Sequence, residues 1–524
     1  MLNRATLPVF NLQFAVCNLQ FAICLLHFAF TPIAHAAGGK LDLTVIDAET
    51  GKPLACRMHL KNQAGRPQTV PKQPYFHDHF VFSGQISLKL PRGNYSFEIE
   101  RGPEYLTRTG HFTINDFADD SKTVEMKRFI DMSKEGWWSG DLHVHRPVKD
   151  IELLMLADDL HVAPVITWWN QRNEWSKTAV PANPLVRFDD NRFYHLLGGE
   201  DEREGGALLF FNLRKPLEIG EATREYPSPM KFIQQARQQP GAWIDAEKPF
   251  WWDLPVWIAS GQIDSIGLAN NHMQREKMYE GEAWGKPRDA ERLRAPLGNG
   301  LWSQEIYYHL LNCGLRIPPV AGSGSGTNDN PVGTNRVYVF CDDEFSPERW
   351  WEELAAGRVF VTNGPLLRPV VEGRPPGYVF YINSGGSLTL EIGLNLATRV
   401  PIEYLQIIKN GAVEAEVRLA DWKKKKGRLP PIAFDDSGWF LVRAVTTNGQ
   451  THQFASTGPY YVEKAGRPRV SRASVQFFLD WITAAETHYR ENSKLDAARR
   501  ASLLAEQASA REFFTELLST ANAE

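Results

Sequence analysis

Two histidines one residue apart are the first sign of chemistry. They sit in Gly140-Asp141-Leu142-His143-Val144-His145. On an extended backbone alternate side chains share a face, so Asp141, His143 and His145 are expected to point the same way. Two imidazoles so placed can take adjacent positions on one metal ion, and a nearby carboxylate can complete or orient the set. His77-Asp78-His79 has the same spacing but lies among prolines and aromatics, and it reads as a solvated turn. Gly322-Ser323-Gly324-Ser325-Gly326 has no following Gly-Lys-Ser/Thr and is no Walker loop, although its backbone N–H groups could face an anion. No Gly-x-Ser-x-Gly elbow occurs.

These residues need a frame. Residues 137–365 alternate apolar strand-like runs (162–166, 193–197, 207–211, 265–269 and 336–340) with helix-like stretches at 230–239 and 302–313. That rhythm predicts a parallel α/β architecture, and a span of about 230 residues suits a barrel. Short strands and turn residues predict small β-sandwich-like units on either side, over 40–128 and 366–465. The turn Asp47-Ala48-Glu49-Thr50-Gly51-Lys52-Pro53 and the step Pro91-Arg92-Gly93-Asn94-Tyr95 resemble the prealbumin-like, carboxypeptidase-regulatory type of accessory domain. Residues 472–522 read as a helical segment packed across a neighbouring unit.

The first 36 residues read as a signal peptide: Arg4, a largely apolar stretch, then Ala34-x-Ala36. Export to the periplasm or exterior is expected, with no stable membrane span after cleavage; an uncleaved N-terminal anchor is the alternative. Cys56, Cys313 and Cys341 would remain, too few and too widely spaced for a disulfide framework or a cysteine zinc site. With 58 Lys+Arg against 62 Asp+Glu the net charge is −4, which offers no footprint for nucleic acid. At 43% hydrophobic and 23% charged residues, the composition excludes a disordered chain and a multi-span membrane protein.

Asp-Leu-His-x-His opening an α/β region resembles the polymerase and histidinol phosphatase (PHP) superfamily of metal-dependent hydrolases, and the order of parts is similar to its CehA/McbA branch. The points of match are residues 140–145, Gly199-Glu200 and residues 321–332. The resemblance implies a distorted (β/α)7 barrel with metal ions at the carboxyl ends of its strands. It also implies a metal-bound water or hydroxide that attacks an ester-type bond, a phosphoester among the candidates. The family's ligands fall on His143, His145 and Glu200, with Asp245, Glu247 and His272 as additions. Asp141, Glu200 and Glu247 are then the candidate catalytic carboxylates. Two readings stay open for Glu200 (a ligand, or an ion pair with an arginine such as Arg203) and two for His272 (a ligand, or a hydrogen-bonded loop histidine).

The chain departs from the family at Thr167-Trp168-Trp169-Asn170, where Thr-Asp-His is usual. It departs again at Glu247-Lys248-Pro249, in place of His-Pro, and at Gly322–Gly326, in place of Gly-Ser-Asp-x-His. Trp and Gly side chains bind no metal, so the expected cofactor is a divalent ion (Zn, Mn or Fe) in fewer copies than the full family site. By the same match Trp168 and Trp169 stand at the barrel mouth as an apolar wall or stacking platform, with Asn170, Arg172 and Lys248 supplying polar contacts to a small-molecule or glycan-like substrate. The competing expectation is a catalytically degenerate barrel that binds carbohydrate or another small molecule.

Overall fold

The structure, a computed structural model, describes residues 38–342 and 344–524. The expected leader over residues 1–36 lies outside the described residues. The chain is a mixed α/β protein with more strand than helix, arranged in several sheets. Among the described residues no helix is long and apolar enough to cross a membrane.

In the N-terminal unit, Gln85–Pro91 alternates exposed and buried positions, turning Ile86, Leu88 and Leu90 inward. Gly38–Asp47 pairs antiparallel with it and parallel with Asp119–Met126. A second, five-stranded sheet is built on Cys56–Asn62, flanked by His79–Phe82 and Gly93–Glu100. One apolar core, including Leu43, Met58, Leu88 and Ile99, lies within this unit.

The central unit starts at Trp137–Gly140, after which residues 141–145 leave regular pairing. Their backbone is nevertheless bonded on both sides. Leu142 N–H donates to Ala321 O (3.1 Å), Gly324 N–H to His143 O (2.8 Å), His145 N–H to Ser325 O (2.8 Å) and Ile166 N–H to Val144 O (2.8 Å). From there Val162–Trp169 runs parallel to Arg192–Arg203, which pairs antiparallel with Gly206–Phe211. Gly206–Phe211 pairs antiparallel with Trp243–Ala246, and parallel pairings lead on to Ser265–Ala269 and Pro319–Ala321. Residues 321–325 then meet residues 142–145, so the path of pairings returns to its start. The expected all-parallel order fails at Gly206–Phe211. Only Glu204 and Gly205 separate this strand from its predecessor, and a connection that short can make only an antiparallel hairpin.

Arg336–Phe340 pairs with the other edge of Trp137–Gly140 and with Val359–Thr362, which pairs onward with Phe454–Thr457. The sheet therefore runs without a break into the C-terminal β unit, and Trp137, Tyr338 and Phe360 are buried in that unit's core. Helices Arg472–Glu491 and Ala497–Ser519 pack on each other and on Leu254–Ala259, placing Phe478, Trp481 and Phe514 in the central core. Charge also ties the units together. Glu100 of the N-terminal unit receives Arg57 (2.7 Å), Arg275 of the central unit (3.2 Å) and Arg399 of the C-terminal β unit (2.9 Å).

Candidate metal centre

The candidate residues converge because each lies near or just past the carboxyl end of a strand in the same set: His143 and His145 after Trp137–Gly140, Glu200 late in Arg192–Arg203, and Glu247 just past Trp243–Ala246. His143 Nε2 and His145 Nε2 are 3.0 Å apart. Glu200 Oε2 lies 3.0 Å from His145 Nε2 and 3.6 Å from His143 Nε2. These three donor atoms lie within 4.8 Å of one another and could hold a metal ion. Of the two readings for Glu200, the arginine pair fails: Arg203 binds the neighbouring Asp201 instead.

The segment 322–326 explains how two imidazoles are held so close. A Cβ on Gly322 would stand 2.3 Å from His143 Cβ, so only glycine lets this backbone lie against the histidine. Four of its N–H groups are already used: Gly322 N–H donates to Ala269 O (3.1 Å), Ser323 N–H to Asp141 Oδ1 (2.9 Å), Gly324 N–H to His143 O (2.8 Å) and Ser325 N–H to Ser323 Oγ (3.1 Å). These bonds take up the N–H groups that could have faced an anion there.

Asp141 also differs from expectation. It does not share a face with the imidazoles as a ligand. Its carboxylate accepts the backbone N–H groups of His143 (3.1 Å), Ser323 (2.9 Å) and Gly333 (2.7 Å). An Asp that accepts the N–H two residues ahead makes a local turn, and regular strand pairing accordingly ends at Gly140. Burial pushes the Asp141 carboxyl up, and these N–H donors partly offset that push.

Glu247 stands 3.3 Å from His143 Nδ1 and orients the ring from behind. Its carboxylate is also bound by the Lys248 ammonium through both oxygens. Lys248 is buried and lies over the Trp251 ring at 4.9 Å. The His143 imidazole is pulled down by burial, but the Glu200 and Glu247 carboxylates outweigh this and hold it above its ordinary value. Burial prevails for His145, which is pushed down. Burial likewise acts to raise the Glu200 carboxyl, and the two imidazoles outweigh it and hold it low. Glu200 Oε2 makes no hydrogen bond. An orphaned buried carboxylate oxygen facing two imidazole nitrogens matches the donor set of a single divalent ion.

Above this cluster lies a cavity of about 390 Å³, whose lining includes His143, Trp169, Glu200, Glu202, Lys248 and His272. His272 faces it, held low at about 3 by burial and by the Lys248 charge, but its nitrogens lie outside the group of three donors. Asp245 is likewise outside that group; it accepts the Ser265 hydroxyl at 2.7 Å. The sequence reading missed Glu202. It lies two residues beyond Glu200 on the same strand and therefore on the same face, and burial together with the Glu200 charge raises it to about 7.

The expected mouth residues separate. Trp169 lines the cavity with its ring centroid 5.2 Å from His145. Trp168 does not: it is 1% exposed, stacks on Phe210 at 5.9 Å and belongs to the core. Asn170, with φ of 49°, binds the Glu200 strand rather than the cavity. Its N–H donates to Glu200 O, its side-chain amide to Glu202 O, and its Oδ1 accepts from Glu202 N–H, each at 2.9 Å. Arg172 is exposed and lies 5.6 Å over Trp169, away from the cavity lining.

No protein-family model matches the chain, and no curated protein matches it. Among solved structures, the Bacillus anthracis TIE protein is similar at 20% identity over 22% of this chain and 20% of that chain, with a TM-score of 0.15. A likeness that slight carries no argument about fold or function.

Proposed function

We propose that the chain is a metal-dependent hydrolase of an ester-type bond, a phosphoester among the candidates, built on a distorted seven-stranded barrel of the PHP kind. The returning path of pairings, which counts residues 141–145 as one of seven segments, supports the barrel. The observation that carries the function is the meeting of His143 Nε2, His145 Nε2 and Glu200 Oε2 beneath an open cavity. One divalent ion of the Zn, Mn or Fe type fits this set. Such an ion lowers the pKa of a coordinated water and polarises an ester oxygen.

The protein's own groups divide the remaining work. Glu247 holds His143 by Nδ1, so that Nε2 faces the centre. Lys248 balances the Glu247 charge and leaves room for one added cation rather than two or three. Glu202, on the cavity wall two residues beyond Glu200 on the same strand, is the group placed to hold or release a proton. Trp169, Trp251, Tyr279 and Trp284 give the cavity aromatic walls suited to an aryl or glycan-like substrate. Export with cleavage near Ala36 belongs to the same reading.

Those four aromatic rings, and the lysine where a further cation would otherwise sit, favour a second reading: a non-catalytic binder of carbohydrate. One experiment separates the two. The mature chain, stripped with chelator and reloaded with Zn, Mn or Fe, is assayed on phosphoester, carboxylester and carbamate panels. Turnover that needs metal and disappears in His145→Ala supports the hydrolase. Activity that survives complete metal removal refutes it. Absence of turnover, with glycan binding that is indifferent to chelator and lost in Trp169→Ala, establishes the binder.

A further inference from the structure

We infer a second divalent-metal site, in the N-terminal β unit, formed by His59, Asp78 and His79. The register Cys56↔Phe82, Arg57↔Val81, Met58↔Phe80, continued by one residue, sets His59 opposite His79. Opposed residues of an antiparallel pair present their side chains on one face, and the two ring centroids are 5.1 Å apart. His77 and Asp78 form the turn between Tyr75–Phe76 and His79–Phe82. That turn brings Asp78 over the same face, with Oδ2 3.0 Å from His59 Nδ1 and Oδ1 3.1 Å from His79 Nδ1. The donor atoms of all three residues lie within 4.8 Å of one another.

The stretch read from sequence as a solvated turn is therefore solvated only at its tip. His59 is 5% and His79 2% exposed. A hydrogen bond donated to Asp78 Oδ1 accounts for His79 Nδ1. It does not account for His59, neither of whose ring nitrogens makes a hydrogen bond despite the short contact. A buried polar group without a partner costs about 1–3 kcal/mol, and a cation that accepts the lone pair removes that cost. The 3.0 Å between His59 Nδ1 and Asp78 Oδ2 approaches the edge of about 3.3 Å that a tetrahedron with ~2.0–2.1 Å bonds requires, and His79 Nδ1 stands 3.1 Å from the other oxygen of the same carboxylate. Two imidazoles and a carboxylate, with one position left open, suit Zn²⁺ among common divalent ions. Asp78 also borders a cavity of about 240 Å³ shared with His77 and Asp329, which gives an ion and a water a way in. His77 meets Asp329 at 3.3 Å, and Asp329 also borders the central cavity. An ion on Asp78 would thus fix the hairpin tip against the rim of the central site.

The test counts zinc in the full mature chain after chelation, dialysis against Zn²⁺ and desalting. Wild type should hold two ions, one of them lost in Asp78→Asn and the other in the double variant His143→Ala, His145→Ala. If the central site alone fails, wild type and the double variant each hold one ion that Asp78→Asn removes. Co²⁺ added to the double variant, whose hairpin is unaltered, should give the visible absorption of a low-coordinate nitrogen–oxygen site, saturating at one equivalent. A double variant without zinc, a Co²⁺ spectrum that stays that of the aqua ion, or a folded Asp78→Asn chain with an unchanged count would overturn the inference.

Discussion

Replacing each member of the Trp168-Trp169 pair by alanine should give opposite outcomes, although the two residues are adjacent. Trp168 is 1% exposed and stacked on Phe210, and it lies so close to Gly199 that a Cβ there would be 1.6 Å from its Cε2. Burial of an indole of about 200 Å² at about 25 cal/mol per Å² gives roughly 5 kcal/mol. Large-to-alanine changes in cores cost about 3–5 kcal/mol. Trp168→Ala should therefore destabilise the central unit by about 4 kcal/mol, a fall in Tm of roughly 10 °C for a cooperative unit of some two hundred residues. It should also lower metal content, because the vacated space lies against Gly199, next to Glu200. Trp169→Ala removes a half-buried ring at the cavity wall and should cost about 1 kcal/mol. Its effect should fall on substrate, raising KM more than it lowers kcat. Thermal melts followed by circular dichroism, with metal content measured on the same samples, decide the matter. A Trp168→Ala chain melting within about 2 °C of wild type, or a Trp169→Ala chain as unstable as Trp168→Ala, would refute the separation of core from wall.

Lys248→Met strands the buried Glu247 carboxylate, a change worth about 3–5 kcal/mol. Added Zn²⁺ or Mn²⁺ should restore more Tm to this variant than it adds to wild type; equal shifts would remove Lys248 from the charge balance of the site. Asp253 is raised to about 6 by burial, partly offset by the Tyr489 hydroxyl at 2.7 Å, while the Gln507 amide donates to the same oxygen at 3.0 Å. A carboxyl raised above its unfolded value of about 3.9 contributes stability below about pH 4, and that contribution is lost as pH rises through about 6; two units correspond to about 3 kcal/mol. Asp253→Asn keeps an acceptor for both donors and cannot ionise, so it should lose about 3 kcal/mol less than wild type between pH 4 and 7 in denaturant titrations. An unaltered pH profile would show that Asp253 does not carry this dependence. Sequencing the N-terminus of protein from its native cell should find a start near Ala37, and an intact Met1 in a membrane fraction would contradict export.

The part of the centre legible in the sequence was the part set by local spacing. His143 and His145 are one residue apart, and Glu200 follows an apolar strand beside a Gly-Gly step. What spacing leaves open is the side on which a given side chain falls when a strand ends or a turn begins. Trp168 and Trp169 alternate at the end of Val162–Trp169, and nothing in the pair says that the first enters the core. Asp141 was assigned by strand alternation, but its own carboxylate ends the strand. The α/β rhythm of the central unit was readable, whereas the antiparallel insertion of Gly206–Phe211 followed from a two-residue connection whose meaning lies in geometry. His59 was out of reach because eighteen residues separate it from Asp78, and only the register of Cys56–Asn62 with His79–Phe82 brings them together.

The three arginines on Glu100 bear on how this chain can be divided or recombined. One carboxylate of the N-terminal unit pairs with guanidinium groups from its own unit, the central unit and the C-terminal β unit. A fragment cut at either boundary would part this carboxylate from at least one of its arginines, and a cut before the C-terminal β unit would leave Arg399 without its carboxylate partner. A replacement unit taken from another protein would have to bring a guanidinium to the same point. Segments that look interchangeable along the sequence are therefore inherited as a set, and a substitution at Glu100 should be felt at once in all three.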